Sequence, residues 1–323
     1  MNADEPGAPG LQPPILAKPE DGPVGGQELD KVHRRPSSVS GLVGRYPVIA
    51  FMILAYGMSW LIWLPVVTVF ARSRDAELSP GLLILGLTGA YGPTAAALIL
   101  IAMADGRRGI RDFLARYRPS KAPWKWIAIA FLLPACMFLM AVWLRPLAGA
   151  PIQPVRWERV SVMGFIGAVV FGLPFGPLGE EGGWRGFLLP ALQRDRNALV
   201  SGLIVGVAWT GWHLPMFWVP DAALPTGVRP GVVSILIYLA TLTYAAVIAT
   251  AIYNGSQGSL VVAVLYHLGI NIWPQVLGPM FGTEAPEVAL ATRLSGLIAG
   301  WIVVLGLVLL FGTKRLSWQE PVK

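Results

Sequence analysis

From residue 46 onward the chain is a succession of long apolar stretches separated by short polar ones. Eight can be drawn, at roughly 47–71, 80–104, 126–147, 160–179, 198–219, 231–253, 258–281 and 288–312. Each runs for about 20–25 residues, enough to cross ~30 Å of hydrocarbon at ~1.5 Å per residue. Membrane strands would alternate apolar and polar residues, and these runs do not. The expected fold class is therefore all-α: a polytopic membrane protein with about eight transmembrane helices. Composition agrees. Hydrophobic residues make up 54% of the chain and charged residues 13%, about half the charged share of an ordinary soluble domain. A single cysteine, Cys136, excludes a disulfide scaffold and a zinc ribbon; within its span it reads as a packing residue.

Residues 1–45 differ from the rest. They are rich in Pro, Gly and charge and lack apolar periodicity, so a disordered tail is expected. They do not read as a signal peptide, because no apolar core follows Asp4 and Glu5. The expected organisation is this tail, a helical membrane domain over 46–313 and a short tail over 314–323. With an even number of spans both ends lie on one side. The N-tail, the 105–125 loop, the 180–197 region and the C-tail then carry 18 of the 25 Lys and Arg, against 7 on the other side. That bias places both termini in the cytoplasm and the protein in the cell membrane. It also explains the net charge of +7 by topology, with membrane lipids as partners rather than nucleic acid. Trp124, Trp126, Trp218 and Trp318 fall near span ends, as interfacial residues do.

A charged side chain inside a membrane helix costs at least ~2.5 kcal/mol, so such residues are functional candidates. All eight Asp lie in the tail or in loops. Of the ten Glu, only Glu180 and Glu181 follow an apolar span directly and precede another apolar patch. Glu181 and Arg185 are four apart and can pair on a helix. His213, in Trp209-Thr210-Gly211-Trp212-His213, and His267, four residues before Asn271, also sit in apolar spans. Three spans, the fourth, fifth and seventh, thus each present an ionisable or amide group. Each feature has a plainer reading: an ion pair, a helix cap, interhelical hydrogen-bond glue. Their scarcity makes convergence the economical explanation, since buried polar groups need partners.

Other constellations fail. No His-Glu-x-x-His motif is present, no Asp pair occurs in the spans, and Gly255-Ser256-Gln257-Gly258 lacks the Gly-x-Ser-x-Gly pattern. In order and spacing, Glu180-Glu181-x-x-x-Arg185, Trp209-x-x-x-His213 and His267-x-x-x-Asn271 resemble the three motifs of the CPBP intramembrane protease family. This is the type II CAAX prenyl endopeptidase and bacteriocin-processing group, also called the ABI family. The flanking Gly183–Pro190 and Trp212–Pro215 segments are similar to its bacterial branch. The family's second motif more often starts with Phe; here it starts with Trp209. The similarity covers roughly 160–275.

The resemblance implies an intramembrane endopeptidase acting on a membrane-associated peptide or protein. It makes Glu180, His213, His267 and Asn271 the expected catalytic residues. Glu180 would activate a water with help from His213, while His267 and Asn271 would stabilise the oxyanion. Glu181, Arg185 and Trp209 would support the site. Cofactor use stays open: Glu180, His213 and His267 would make a three-ligand zinc site. The metal-independent form is preferred because Asn suits an oxyanion hole better than zinc. The alternatives are a non-catalytic membrane scaffold or bacteriocin-immunity protein of the same fold, and a small-solute transporter, which would call for repeat symmetry that is not seen.

Overall fold

The apolar stretches fold as helices in the computed structural model of the chain, which describes residues 44–73, 76–119, 123–174, 176–220, 222–223, 230–283 and 285–320. The expected tail falls, over 1–43, outside the described residues, as do Arg74, Lys121, Arg229 and Lys323 of the charge count. The helices are α1 (Pro47–Arg72), α2 (Pro80–Ala90), α3 (Gly92–Leu114), α4 (Trp124–Leu144), α5 (Val162–Gly172), α6 (Pro177–Gly183), α7 (Leu189–Gln193), α8 (Ala198–Trp212), α9 (Val232–Gly255), α10 (Leu260–Leu277) and α11 (Pro286–Arg315). A π-helical turn, Trp184–Leu188, joins α6 to α7.

The all-helical class holds, while the expected count of eight spans is not confirmed. Among the described residues five helical segments are long and apolar enough to cross a membrane unbroken, and the number reaches seven if two bent pairs each count as one span. The pairs are α2 with α3, and α5 with the α6–α7 segment, each bent by 42°. Hydropathy runs smoothly through these breaks because Gly and Pro are not strongly polar. The backbone ladder does not run through them, since Pro lacks the donor N–H that continues a helix. Pro93 and Pro177 each open the second helix of a pair. α8 has 15 residues, about 22 Å of helix, and gives way at His213 to a 3₁₀ turn containing Pro215.

Among the described residues two large apolar clusters, with a smaller one around Val66, Phe70 and Val219, hold the bundle. One gathers Phe51, Trp63, Leu100, Trp184, Trp209 and Trp212 from α1, α3, α8 and the π-helical turn. The Trp63 and Trp212 rings lie 4.5 Å apart. The other joins α4, α9, α10 and α11 through Ala130, Ile248, Ile252, Val262, Tyr266 and Val304. The opposite faces expose Ile53, Leu61, Phe171 and Leu310, the pattern of a lipid-facing surface. Trp124, Trp218 and Trp318 are exposed as interfacial residues should be. Trp126 instead packs into the space beside Gly255. Cys136 is exposed rather than packed.

Small residues decide how closely the site helices approach their neighbours. A Cβ on Gly206 of α8 would lie 2.5 Å from Thr243 Cα of α9. On Gly183 of α6 it would lie 2.4 Å from Pro93 Cβ and 2.5 Å from Pro93 C in α3. Without an apolar driving force between helices in lipid, close backbone approach is a main source of association energy. Gly183→Ala is therefore expected to destabilise the fold by about 1–3 kcal/mol. Denaturant titration in detergent micelles checks this, and wild-type stability would show that α3 yields freely.

Candidate functional site

The first motif begins at a backbone break. Gly176 has φ +118°, a region that side-chain-bearing residues avoid. Pro177 then starts α6, and the Glu180 N–H donates to Gly176 O at 2.8 Å, so Glu180 stands in the first turn. A carboxylate there faces the positive end of the helix dipole. Glu180 and Glu181 are 4% and 1% exposed. Neighbouring helical positions project in different directions, and the two acids meet different partners.

Glu181 anchors a buried charge network. Arg185 Nη1, one turn on, and His267 Nδ1 of α10 both donate to Glu181 Oε1 at 2.8 Å. Among the described residues Glu181 Oε2 has no hydrogen-bond partner. The Arg185 guanidinium lies 4.7 Å over the Trp209 ring, so its charge is met by a carboxylate and an aromatic face.

Glu180 is held by indoles. Trp184 Nε1 donates to its Oε2 at 3.3 Å, and Trp209 Nε1 donates to the same oxygen at 2.5 Å. Oε1 points elsewhere. A Cβ built on Gly176 would lie 2.9 Å from Glu180 Oε1, 3.6 Å from His267 Nε2 and 3.7 Å from Asn271 Nδ2. Three polar atoms from α6 and α10 therefore surround one point, and the missing side chain of Gly176 leaves it open. The four-residue spacing of His267 and Asn271 on α10 aims both at that point.

His213 caps α8 beside this group. Its Nδ1 lies 2.9 Å from Trp209 O. An N–H at Nδ1 donating to that carbonyl leaves Nε2 with a free lone pair in the neutral ring. The ring meets Trp212 edge-on at 4.7 Å and Tyr238 of α9 at 5.5 Å. It stands within electrostatic reach of Glu180 and His267.

The structure thus brings together Glu180, His267 and Asn271 around one point, with His213 alongside and Glu181, Arg185 and Trp209 behind. Sequence reading missed three contributors. Trp184 supplies the second indole, Gly176 supplies the open point, and Tyr238 flanks His213. Trp184 had a legible signal, since it stands four residues after Glu180 on the same face. Tyr238 had none, because only tertiary packing brings α9 to His213. If zinc takes part, the residues that would hold it are Glu180, His213 and His267. Among the described residues no three His, Cys, Asp or Glu gather closely enough to hold a metal ion.

Comparison with known proteins points to the same segment. Residues 162–273 match the model of the family described as type II CAAX prenyl endopeptidase Rce1-like. CAAX prenyl protease 2 of Methanococcus maripaludis is 22% identical over 239 residues, which cover 73% of this chain and 87% of that protein. The chain resembles the type II CAAX prenyl endopeptidases over the segment that contains every residue of the site.

Removing one partner of a buried ion pair leaves the other charge uncompensated and costs about 3–5 kcal/mol. Glu181→Gln is expected to lose stability on that scale, because Arg185 would be stranded. Thermal unfolding of the purified variant tests this. A loss no larger than that of an exposed substitution would mean that water reaches Arg185.

Proposed function

We propose that this protein is an intramembrane endopeptidase of CAAX-protease type, which hydrolyses a peptide bond of a membrane-associated substrate with a water activated by Glu180. The observation that carries this reading is the meeting of Glu180 Oε1, His267 Nε2 and Asn271 Nδ2 at one buried point beside Gly176. A general base and two nitrogens that can serve as donors at one point are what water addition to a carbonyl requires.

In the proposed reaction Glu180 Oε1 accepts a proton from the water as its oxygen bonds to the scissile carbonyl carbon. The two indole N–H groups on Oε2 hold the carboxylate so that Oε1 stays turned to the reacting atoms. His213, fixed through Nδ1, offers its Nε2 lone pair to the same water. The carbonyl oxygen becomes an oxyanion and accepts from Asn271 Nδ2–H. It accepts from His267 as well when that ring is protonated, because Nδ1–H is already committed to Glu181. Collapse of the intermediate breaks the C–N bond, and Glu180 returns the proton to the leaving amine. No step is routed through a metal.

The test is cleavage of a lipid-anchored or hydrophobic peptide by the full chain in proteoliposomes. Glu180→Gln and His213→Ala are each expected to lower kcat by about a hundredfold or more, and a chelator is expected to leave wild-type turnover unchanged. Unaltered cleavage by Glu180→Gln would overturn the assignment. Protection of cells or partner binding retained by these variants, with no substrate cleaved by the wild type, would favour a scaffold or immunity role.

Trp209 offers a finer test. Trp209→Phe keeps an aromatic ring at that position but removes the N–H donated to Glu180. A hydrogen bond to a charged group is worth about 1.5–3 kcal/mol, so kcat is expected to fall by about tenfold or more with KM little changed. An unchanged kcat would show that Trp184 alone positions the carboxylate.

A further inference from the structure

The basic segment that follows the apolar part of α3 is not used by the site. α3 runs from Gly92 to Leu114, but its backbone breaks at Gly106, which has φ 60° and ψ −148°. The arm before the break is apolar, from Thr94 to Met103. The arm after it carries Arg107, Arg108 and Arg111, and Arg116 and Arg118 follow in and after a 3₁₀ turn. The second arm is fastened to the first motif. Phe113 is 4% exposed and lies against Gly186, while Arg116 Nη1 donates to Gly186 O at 2.8 Å and to Tyr253 Oη at 3.1 Å. Arg116 is therefore committed to the fold.

The other basic residues of this region behave differently. Arg107, Arg111 and Arg118 line a pocket of about 630 Å³ with a wall of Ala102, Ile110 and Leu114. All three arginines are exposed. Arg107 and Arg111 are one turn apart and share a face. Two acids lie in this region: Asp105, whose side chain sits beside Gly109, and Asp112, whose Oδ1 is 3.8 Å from Arg111 Nε and whose Oδ2 is 3.8 Å from Arg108 Nε. Two carboxylates against Arg107, Arg108, Arg111 and Arg118 leave the region with a net charge of +2.

We propose that this pocket binds the phosphate headgroup of an anionic phospholipid, held by Arg107, Arg111 and Arg118, with the lipid's glycerol and upper acyl chain against Ala102, Ile110 and Leu114. Charge complementarity selects an anion, and guanidinium forks match phosphate oxygens. The apolar wall and the position at the end of an apolar membrane arm select a lipid over a free ion. Basic pockets at the ends of membrane helices recognise such headgroups in this way. The proposal does not depend on the proteolytic reading, since none of its residues belongs to that site.

The experiment reconstitutes the purified full chain in vesicles of phosphatidylcholine alone or mixed equally with phosphatidylglycerol, and measures retained lipid by native mass spectrometry. The wild type is expected to retain phosphatidylglycerol over phosphatidylcholine. The variant Arg107→Gln/Arg111→Gln/Arg118→Gln is expected to lose roughly tenfold or more of that preference. Arg108→Gln/Lys125→Gln/Lys314→Gln, which removes the same charge outside the pocket, is expected to keep it. If the pocket variant unfolds, Arg118→Gln alone is expected to give a smaller loss in the same direction. Equal loss in both triple variants, or an unchanged preference in the pocket variant, would overturn the proposal. So would full displacement of the lipid by inorganic phosphate, which would make the site one for a free anion.

Discussion

Everything in this fold is arranged around the need to pair charge inside an apolar bundle. Glu181, Arg185 and His267 meet through a single carboxylate oxygen, and all three are buried. An unpaired charge at such depth would cost several kcal/mol. The pair within α6 and the π-helical turn is local, four residues apart. The bond to His267 is not, because it ties this segment to α10 across 86 residues of sequence. That contact sets the position of α10 against α6, and so the place where Asn271 ends up.

The same economy governs Glu180. Its charge is met by two indole N–H groups, which are donors only and cannot take its proton. Trp209 serves twice, giving its N–H to Glu180 and its ring face to Arg185. A phenylalanine, which is commoner in the second motif of the family the chain resembles, could serve only the second purpose. The tryptophan is thus a change in how the carboxylate is held as well as a change of bulk. Glycines complete the arrangement. Gly183 lets α6 close on α3, and Gly176 leaves open the point that the polar atoms surround.

The helical class and the residues worth watching were legible in the sequence because both rest on short-range physics. Hydrophobic length identifies membrane helices, and a charge inside such a length stands out against its cost. The spacing of Glu181 with Arg185, and of His267 with Asn271, follows from helical periodicity alone. The number of spans was not legible. A hydropathy window averages across Gly92-Pro93 and Gly176-Pro177, whereas the hydrogen-bond ladder breaks there, giving bent pairs in place of straight helices. The extra neighbours of the site were partly legible. Trp184 lies one turn from Glu180, but Tyr238 reaches His213 only because α9 packs against α8 through Gly202 and Gly206.

By itself, then, the sequence determined that the chain is a helical membrane protein and which few polar residues its apolar segments must accommodate. Those outcomes follow from local hydrophobicity and from the cost of burying charge. Only the tertiary structure decided how those residues are shared out. Glu181 turns to the ion network and Glu180 to the indoles, with Oε1 left facing His267 and Asn271. Two adjacent glutamates are chemically identical in sequence, and what separates them is the direction each faces once α6, α8 and α10 have packed together.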